Sequence, residues 1–173
     1  MKKLLALVLV LAVAQFASAA ISWDVADNGN GTFAVSLVTD EQVNAVSLPQ
    51  MVSTGGVFAV DSGAWSPAFT STQPILDLSG FGVSGYGGAT ANITAAGTYT
   101  TGTLIAMTVT GEAGDVITIG DLAAFGMTAY VSTQAGGQQS LASVGADSFT
   151  LVPEPMTMAL LGLGGLFIRR RRA

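Results

Sequence analysis

The sequence contains no cysteine and no histidine, and it has no lysine or arginine between Lys3 and Arg169. Each absence closes off a class of chemistry. Without cysteine there are no disulfides and no thiolate metal sites. Without histidine, zinc loses its commonest nitrogen ligand, and Ser-His-Asp and Cys-His catalysis lose their base. Ser-Lys catalysis has no lysine in the body of the chain. A nucleic-acid binder needs cations to displace phosphate counterions, and that body offers none. Long apolar runs at a 3.6-residue period are also missing, so no extended amphipathic helix is predicted.

What is present is sharply divided by position. The 173 residues carry six cations, and these are Lys2, Lys3, Arg169, Arg170, Arg171 and Arg172. All eleven carboxylates lie between the two clusters, for a net charge of −5. Half of the residues are hydrophobic and a tenth are charged. The length suits one domain.

The ends read as addresses. Met1-Lys2-Lys3 is a cationic start, residues 4–14 are an apolar run, and Ala17-Ser18-Ala19 is an A-x-A site. Together they predict a signal peptide over 1–19, cut by signal peptidase after Ala19, with Ala17 and Ala19 as the small residues it needs. At ~1.5 Å per residue the run is too short to cross ~30 Å of hydrocarbon, so export is expected rather than a retained anchor. The other end reads Val152-Pro153-Glu154-Pro155, an apolar run over 156–168, then Arg169 to Arg172 and Ala173. This second run rises about 20 Å as a helix, and Gly162, Gly164 and Gly165 loosen it. The arginines resist translocation and stay on the cytoplasmic side, where Lys2 and Lys3 also start. The precursor is then a loop pinned at both ends in the inner membrane, with 20–152 outside. Pro153 and Pro155 keep their segment extended and unpaired, as a protease-like site requires.

This tail resembles the PEP-CTERM sorting signal: Pro153-Glu154-Pro155, a glycine-bearing apolar segment and a terminal arginine cluster, in that order. The resemblance implies an exosortase partner, a membrane transpeptidase-like cysteine enzyme that reads Pro153, Glu154 and Pro155 while Arg169, Arg170, Arg171 and Arg172 hold the tail in register. It also implies a link to extracellular polysaccharide and biofilm.

Between the tags lies a glycine-punctuated β protein. Of the 22 glycines, all but Gly162, Gly164 and Gly165 fall there, which fits many tight turns. Phe33, Val35 and Leu37 alternate with Ala34, Ser36 and Val38, and Ile105, Met107 and Val109 alternate with Leu104, Ala106 and Thr108. Residues 116–119 form a short β-branched run, 21–25 read as the first strand, and 148–152 as the last. Asp27-Asn28-Gly29-Asn30-Gly31 predicts a hairpin turn, because Asn and Gly tolerate positive φ. Gly111-Glu112-Ala113-Gly114-Asp115 predicts another turn. Thr39 to Gln42 has capping-box spacing and predicts one helical turn. The expected fold is all-β: a single antiparallel β-sandwich of roughly eight to ten strands, jelly-roll or cohesin-like, flanked by a signal helix and a short C-terminal hydrophobic helix. Its core is expected to hold Trp23, Phe33, Phe58, Trp65, Phe69, Phe81, Tyr86, Tyr99, Phe125, Tyr130 and Phe149. The order of Gly102, an apolar strand, a turn, Gly114 and a second apolar strand resembles cohesin-like and carbohydrate-binding-module sandwiches. No dockerin-binding face is carried over with that resemblance.

Candidate sites are few. Gly80-Phe81-Gly82-Val83-Ser84-Gly85 matches G-x-G-x-x-G, but Tyr86-Gly87-Gly88 will not start the helix that would hold a pyrophosphate, so a loop is expected. Asp61-Ser62-Gly63 matches the aspartic-protease triplet, but it occurs once, and the chemistry needs two aspartates sharing a proton; a turn is expected. Asp24, Asp27, Asn28 and Asn30 bring oxygen ligands close enough for calcium, with Asp115 and Asp121 elsewhere, although a hairpin explains 27–31 without metal. Trp65, Tyr86 and Tyr99 are candidate glycan-stacking residues or, alternatively, packing residues. Asn92-Ile93-Thr94 is a glycosylation sequon. The composition favours a non-enzymatic, exported envelope or matrix protein with a structural, adhesive or glycan-associated role. The alternatives are a calcium-dependent carbohydrate-binding module and a secreted glycoside hydrolase working with carboxylates alone.

Overall fold

The computed structural model describes residues 21–152. The signal peptide with Ala17 and Ala19, the sorting residues Pro153, Glu154, Pro155, Arg169, Arg170, Arg171 and Arg172, and both flanking helices lie outside the described residues. Among the described residues no helix is long and apolar enough to cross a membrane.

The body is all-β. Its strands are β1 (Ile21–Gly29), β2 (Thr32–Ser53), β3 (Phe58–Trp65), β4 (Ser71–Thr72), β5 (Leu76–Asp77), β6 (Tyr86–Asn92), β7 (Thr100–Gly111), β8 (Val116–Gly120), β9 (Tyr130–Thr133), β10 (Gly137–Ser140) and β11 (Ser148–Thr150). Three 3-10 turns interrupt them: η1 (Ser79–Phe81), η2 (Ala123–Phe125) and η3 (Ala142–Val144). The strand count exceeds the expected eight to ten because β4 and β5 are two-residue strands on β6.

All pairings are antiparallel and most converge on β2. The expected Asn-Gly hairpin joins β1 to β2, with Gly29, Asn30 and Gly31 all at positive φ. The first half of β2 pairs with β1 and β7, and β7 carries β3. The second half pairs with β6 on one side and with β9 and then β8 on the other. Between the halves the ladder breaks: the register with β7 slips between Thr39 and Val43, and that with β9 slips between Val43 and Ala45. There is no helical turn at 39–42. Thr39 Oγ1 does accept a backbone N–H, but from Glu41 at 3.0 Å, inside an extended segment. The same hydroxyl chemistry that caps a helix here closes a kink in a strand.

Burial changes across the kink. Before it one face is buried, with Phe33, Val35 and Leu37; after it both faces are covered, with Val46 and Leu48 buried on one and Val43, Ser47 and Met51 on the other. A bulge in β7 does similar work: Leu37 opposes Ile105 and Val38 opposes Thr103, so Leu104 is the extra residue, and it is fully buried. The core joins these to Ile117, Ile119, Val131, Leu141, Phe149 and Leu151. Each such side chain contributes roughly 1.5–3 kcal/mol on burial. The rings of Trp23 and Phe149 meet at a tilt of 39° with centroids 4.8 Å apart, and Trp23 Nε1 donates to the Ala146 carbonyl at 2.8 Å, fastening β1 to the last strand.

Two further expectations fail in the body. Asp61-Ser62-Gly63 is not a turn. It lies within β3, where the register with β7 slips between Val60 and Ser62, so Asp61 is the bulged residue. Thr110 Oγ1 donates to its carboxylate at 2.7 Å. Phe81 and Phe125 are not in the core. They are 59% and 52% exposed.

Candidate functional site: an apolar cleft between two matched turns

The three 3-10 turns share one sequence pattern, Leu-x-x-apolar-Gly: Leu78-Ser79-Gly80-Phe81-Gly82, Leu122-Ala123-Ala124-Phe125-Gly126 and Leu141-Ala142-Ser143-Val144-Gly145. Their hydrogen bonding is shared too. The leading leucine carbonyl accepts from the residue five positions on: Val83 for Leu78, Met127 for Leu122 and Ala146 for Leu141. The next carbonyl accepts from the glycine N–H. This is the paired closure of a Schellman motif. The glycines sit at φ of 74°, 65° and 72°, the left-handed region that glycine enters without penalty. In each turn the leucine points inward and is buried.

The fourth residue then points away from the leucine. In η3 it is Val144, which packs partly against the core. In η1 and η2 it is phenylalanine. β6 and β8 flank β2 at Gln50, which pairs with both Gly87 and Gly120. Turn η1 precedes β6 and η2 follows β8, so they rise on either side of β2. Gln50 Nε2 donates to the Ser84 carbonyl at 2.8 Å beneath them. Phe81 and Phe125 meet edge to face with centroids 6.0 Å apart. They line an open cleft of about 220 Å³ with Leu76, Leu78, Leu122 and Met127. Leu76 is itself 44% exposed. Isolated exposed apolar residues are ordinary; here two phenylalanines and a leucine are gathered in one concavity.

Two aspartates are sequence neighbours of residues that line this cleft. Asp77 separates Leu76 from Leu78, and Asp121 precedes Leu122; both are exposed. Asp77 Oδ1 accepts the Ser79 N–H at 2.9 Å, and the Ser79 N–H and hydroxyl together hold the Asp77 carboxyl below the ordinary aspartate range. Asp121 Oδ1 accepts the Ala129 N–H at 2.7 Å. Each carboxylate thus braces the backbone of its turn.

Other candidate residues are dispersed. The β1 ladder is regular from Ile21 to Asp27, so Asp24 and Asp27 face opposite sides of the strand. Asp27 Oδ1 is engaged by the Gly29 N–H at 2.7 Å, and Asn28 and Asn30 are exposed in the hairpin. Asp115 is buried, accepts from Ser53 Oγ at 3.1 Å and lies against the backbone of Gly55. Among the described residues no three carboxylates gather as a metal group. Gly80 to Gly85 passes from η1 directly into β6, the loop expected of it.

The three candidate glycan residues do not share a site. Tyr86 packs on the core with its ring edge to face with Phe58, at the start of β3. Trp65 is at the far end of β3, roughly 23 Å away at ~3.3 Å per residue. Tyr99 is half-buried just before β7. Trp65 does line an open groove of about 410 Å³ with Phe69, Thr72, Pro67 and Pro74. Its ring is fixed by Nε1 donating to the Gln73 carbonyl at 2.9 Å and by an edge contact with Phe69.

Sequence reasoning missed the cleft because hydrophobic content alone assigns phenylalanine to the core. The repeated Leu-x-x-apolar-Gly pattern was the available signal. Comparison with protein-family models, with curated proteins and with solved structures finds no match.

Proposed function

We propose that this chain is a non-enzymatic interaction protein, exported as a membrane-pinned precursor and destined for the cell surface or the extracellular matrix. Its body is read as a β-sandwich, with the kink in β2 carrying that strand from one layer to the other. The observation that carries the interaction role is the Phe81–Phe125 cleft, an apolar surface left open to water in an otherwise acidic body. The sorting role rests on the tail sequence, Pro153-Glu154-Pro155 followed by an apolar run and arginines. The fold is compatible with a chain held at both ends: Ser22 and Val152 line the same groove, so both connections leave the body together.

Intact-mass measurement of the exported protein tests this reading. The expected product begins at Ala20 and ends near Pro153-Glu154-Pro155. Replacing those three residues with alanine should leave the precursor uncut, and normal maturation of that variant would refute the sorting claim. The Trp65 groove favours glycan association as part of the same role. Trp65→Ala should then lower retention on matrix polysaccharide by roughly ten-fold, the worth of one stacked aromatic of about 1.4 kcal/mol; unchanged retention would remove Trp65 from the interface.

A further inference from the structure

We infer that the free edge of β1 is a self-association surface, where β1 of a second copy pairs antiparallel about a two-fold axis through Val25. The edge is free because, among the described residues, β1 pairs only with β2. It borders an open groove of about 480 Å³ lined by residues 22–25 of β1 and 148–150 of β11. Successive strand residues point to opposite faces. A groove lined by an unbroken run of them therefore lies along the strand's edge and meets its backbone. Unpaired N–H and C=O groups on such an edge are a template for another strand.

The other outer strands are poorer templates. β4 and β5 have two residues each, β11 three and β10 four. β3 has eight, but the bulge at Asp61 interrupts it. Short edges and bulges are how proteins prevent edge-to-edge pairing. β1 instead keeps an unbroken register from Ile21 to Asp27, with no proline and no cation.

The sequence of β1 selects its own copy as the occupant. Trp23 and Val25 pack against the core, while Asp24 and Ala26 are exposed on the outer face. Directly opposed residues share a face, so matching the faces of two copies puts one residue on the axis, opposite itself. Asp24 there would set two carboxylates against each other, which is destabilising. Trp23 would crowd two indoles, each already held by its own Ala146 carbonyl and Phe149 ring. Val25 brings two branched side chains together, a favourable cross-strand pair. Each Asp24 then faces Ala26 of the other copy and each Asp27 faces Trp23, so no carboxylate opposes another. A glycan in this groove fits less well, because the Trp23 ring is tilted against Phe149 and its N–H is spent on Ala146. The pairing rests neither on export nor on the glycan reading of Trp65.

A single cysteine tests this, because the chain has none of its own. In the full chain in dodecyl maltoside, Val25→Cys is compared with Ser62→Cys, which is exposed on β3. Val25 is the less exposed of the two, so undirected collisions, including any through the apolar ends, favour the Ser62 variant. Copper-phenanthroline with oxygen takes two electrons from each thiol pair, with release of two protons, as the disulfide forms. Pairing predicts that Val25→Cys closes into covalent dimers roughly tenfold faster, at a rate that rises with protein concentration. Adding Ala26→Lys, which faces Asp24, should speed closure, and Ala26→Asp should slow it, with the gap narrowing in 1 M salt. The same two changes at exposed Ala124 control for net charge and should give a smaller gap. If thermal melts show that Val25→Cys loosens the fold, exposed Asp24→Cys replaces it. Its two copies would lie diagonally at about 7–8 Å, and a bismaleimide of that span reads them against Ser62→Cys. Equal rates, a faster Ser62 variant, or equal gaps at Ala26 and Ala124 overturns the proposal.

Discussion

Gly80 and Gly87 belong to one stretch of loop and strand, yet a methyl group added at each meets different surroundings. At Gly80 nothing lies within 4 Å, whereas at Gly87 the new atom would run into the Pro49 carbonyl across the β2–β6 ladder. Gly80→Ala should therefore stabilise the fold by about 0.5 kcal/mol, by restricting the unfolded chain. Gly87→Ala should destabilise it by about 1–3 kcal/mol, because strand backbones must move apart. Chemical denaturation of the two variants reads the difference, and equal midpoints would contradict the packing at β2. Asp77 makes a second prediction at this scale. Its carboxylate is held below the ordinary aspartate range by the Ser79 donors, so its support for η1 is present at neutral pH. That support is lost as the pH falls through the lowered value. The Ser79 amide resonance should titrate below the ordinary aspartate range, and Asp77→Asn should abolish that titration.

The three Leu-x-x-apolar-Gly turns separate stability from exposure within one element type. Leu141 is fully buried, so Leu141→Ala should cost about 2–5 kcal/mol through lost contacts and a cavity. The double change Phe81→Ser with Phe125→Ser removes more apolar surface in total. It should nevertheless cost less per side chain than Leu141→Ala, because about half of that surface already faces water. Thermal melts check both, and a large loss in the double variant would mean that the aromatic pair is structural. Elements of this fold were legible in proportion to how local their cause is. The alternation of Phe33, Val35 and Leu37 against Ala34, Ser36 and Val38 marks a strand with one buried face, and the Asn-Gly turn marks its hairpin. Thr39 to Gln42 was misread because a threonine hydroxyl satisfies a nearby N–H equally well in a helix cap and in a strand kink. Asp61-Ser62-Gly63 was misread because turn-forming residues also occupy bulges. The exposure of Phe81 and Phe125 depends on β6 and β8 flanking β2 at Gln50, a pairing between distant segments that no local pattern encodes.

Across the whole molecule the dominant feature is charge of one sign. From residue 21 to residue 152 there are carboxylates and no cation, so folding concentrates like charges. Salt should raise the melting temperature: screening worth about 1 kcal/mol corresponds to about 2–4 °C in a chain of this size. A melting temperature that falls between 20 mM and 300 mM sodium chloride would show that attractive contacts prevail instead. Only the tail arginines and the two N-terminal lysines oppose this field, so losing either end increases the acidity of what is left.

The shared groove of Ser22 and Val152 decides how the molecule bears mechanical load. Tension applied through both ends enters at β1 and β11, each hydrogen-bonded to a single neighbouring strand. The central ladders, and the aromatic arch above Gln50, would feel the pull only after both outer strands had come away.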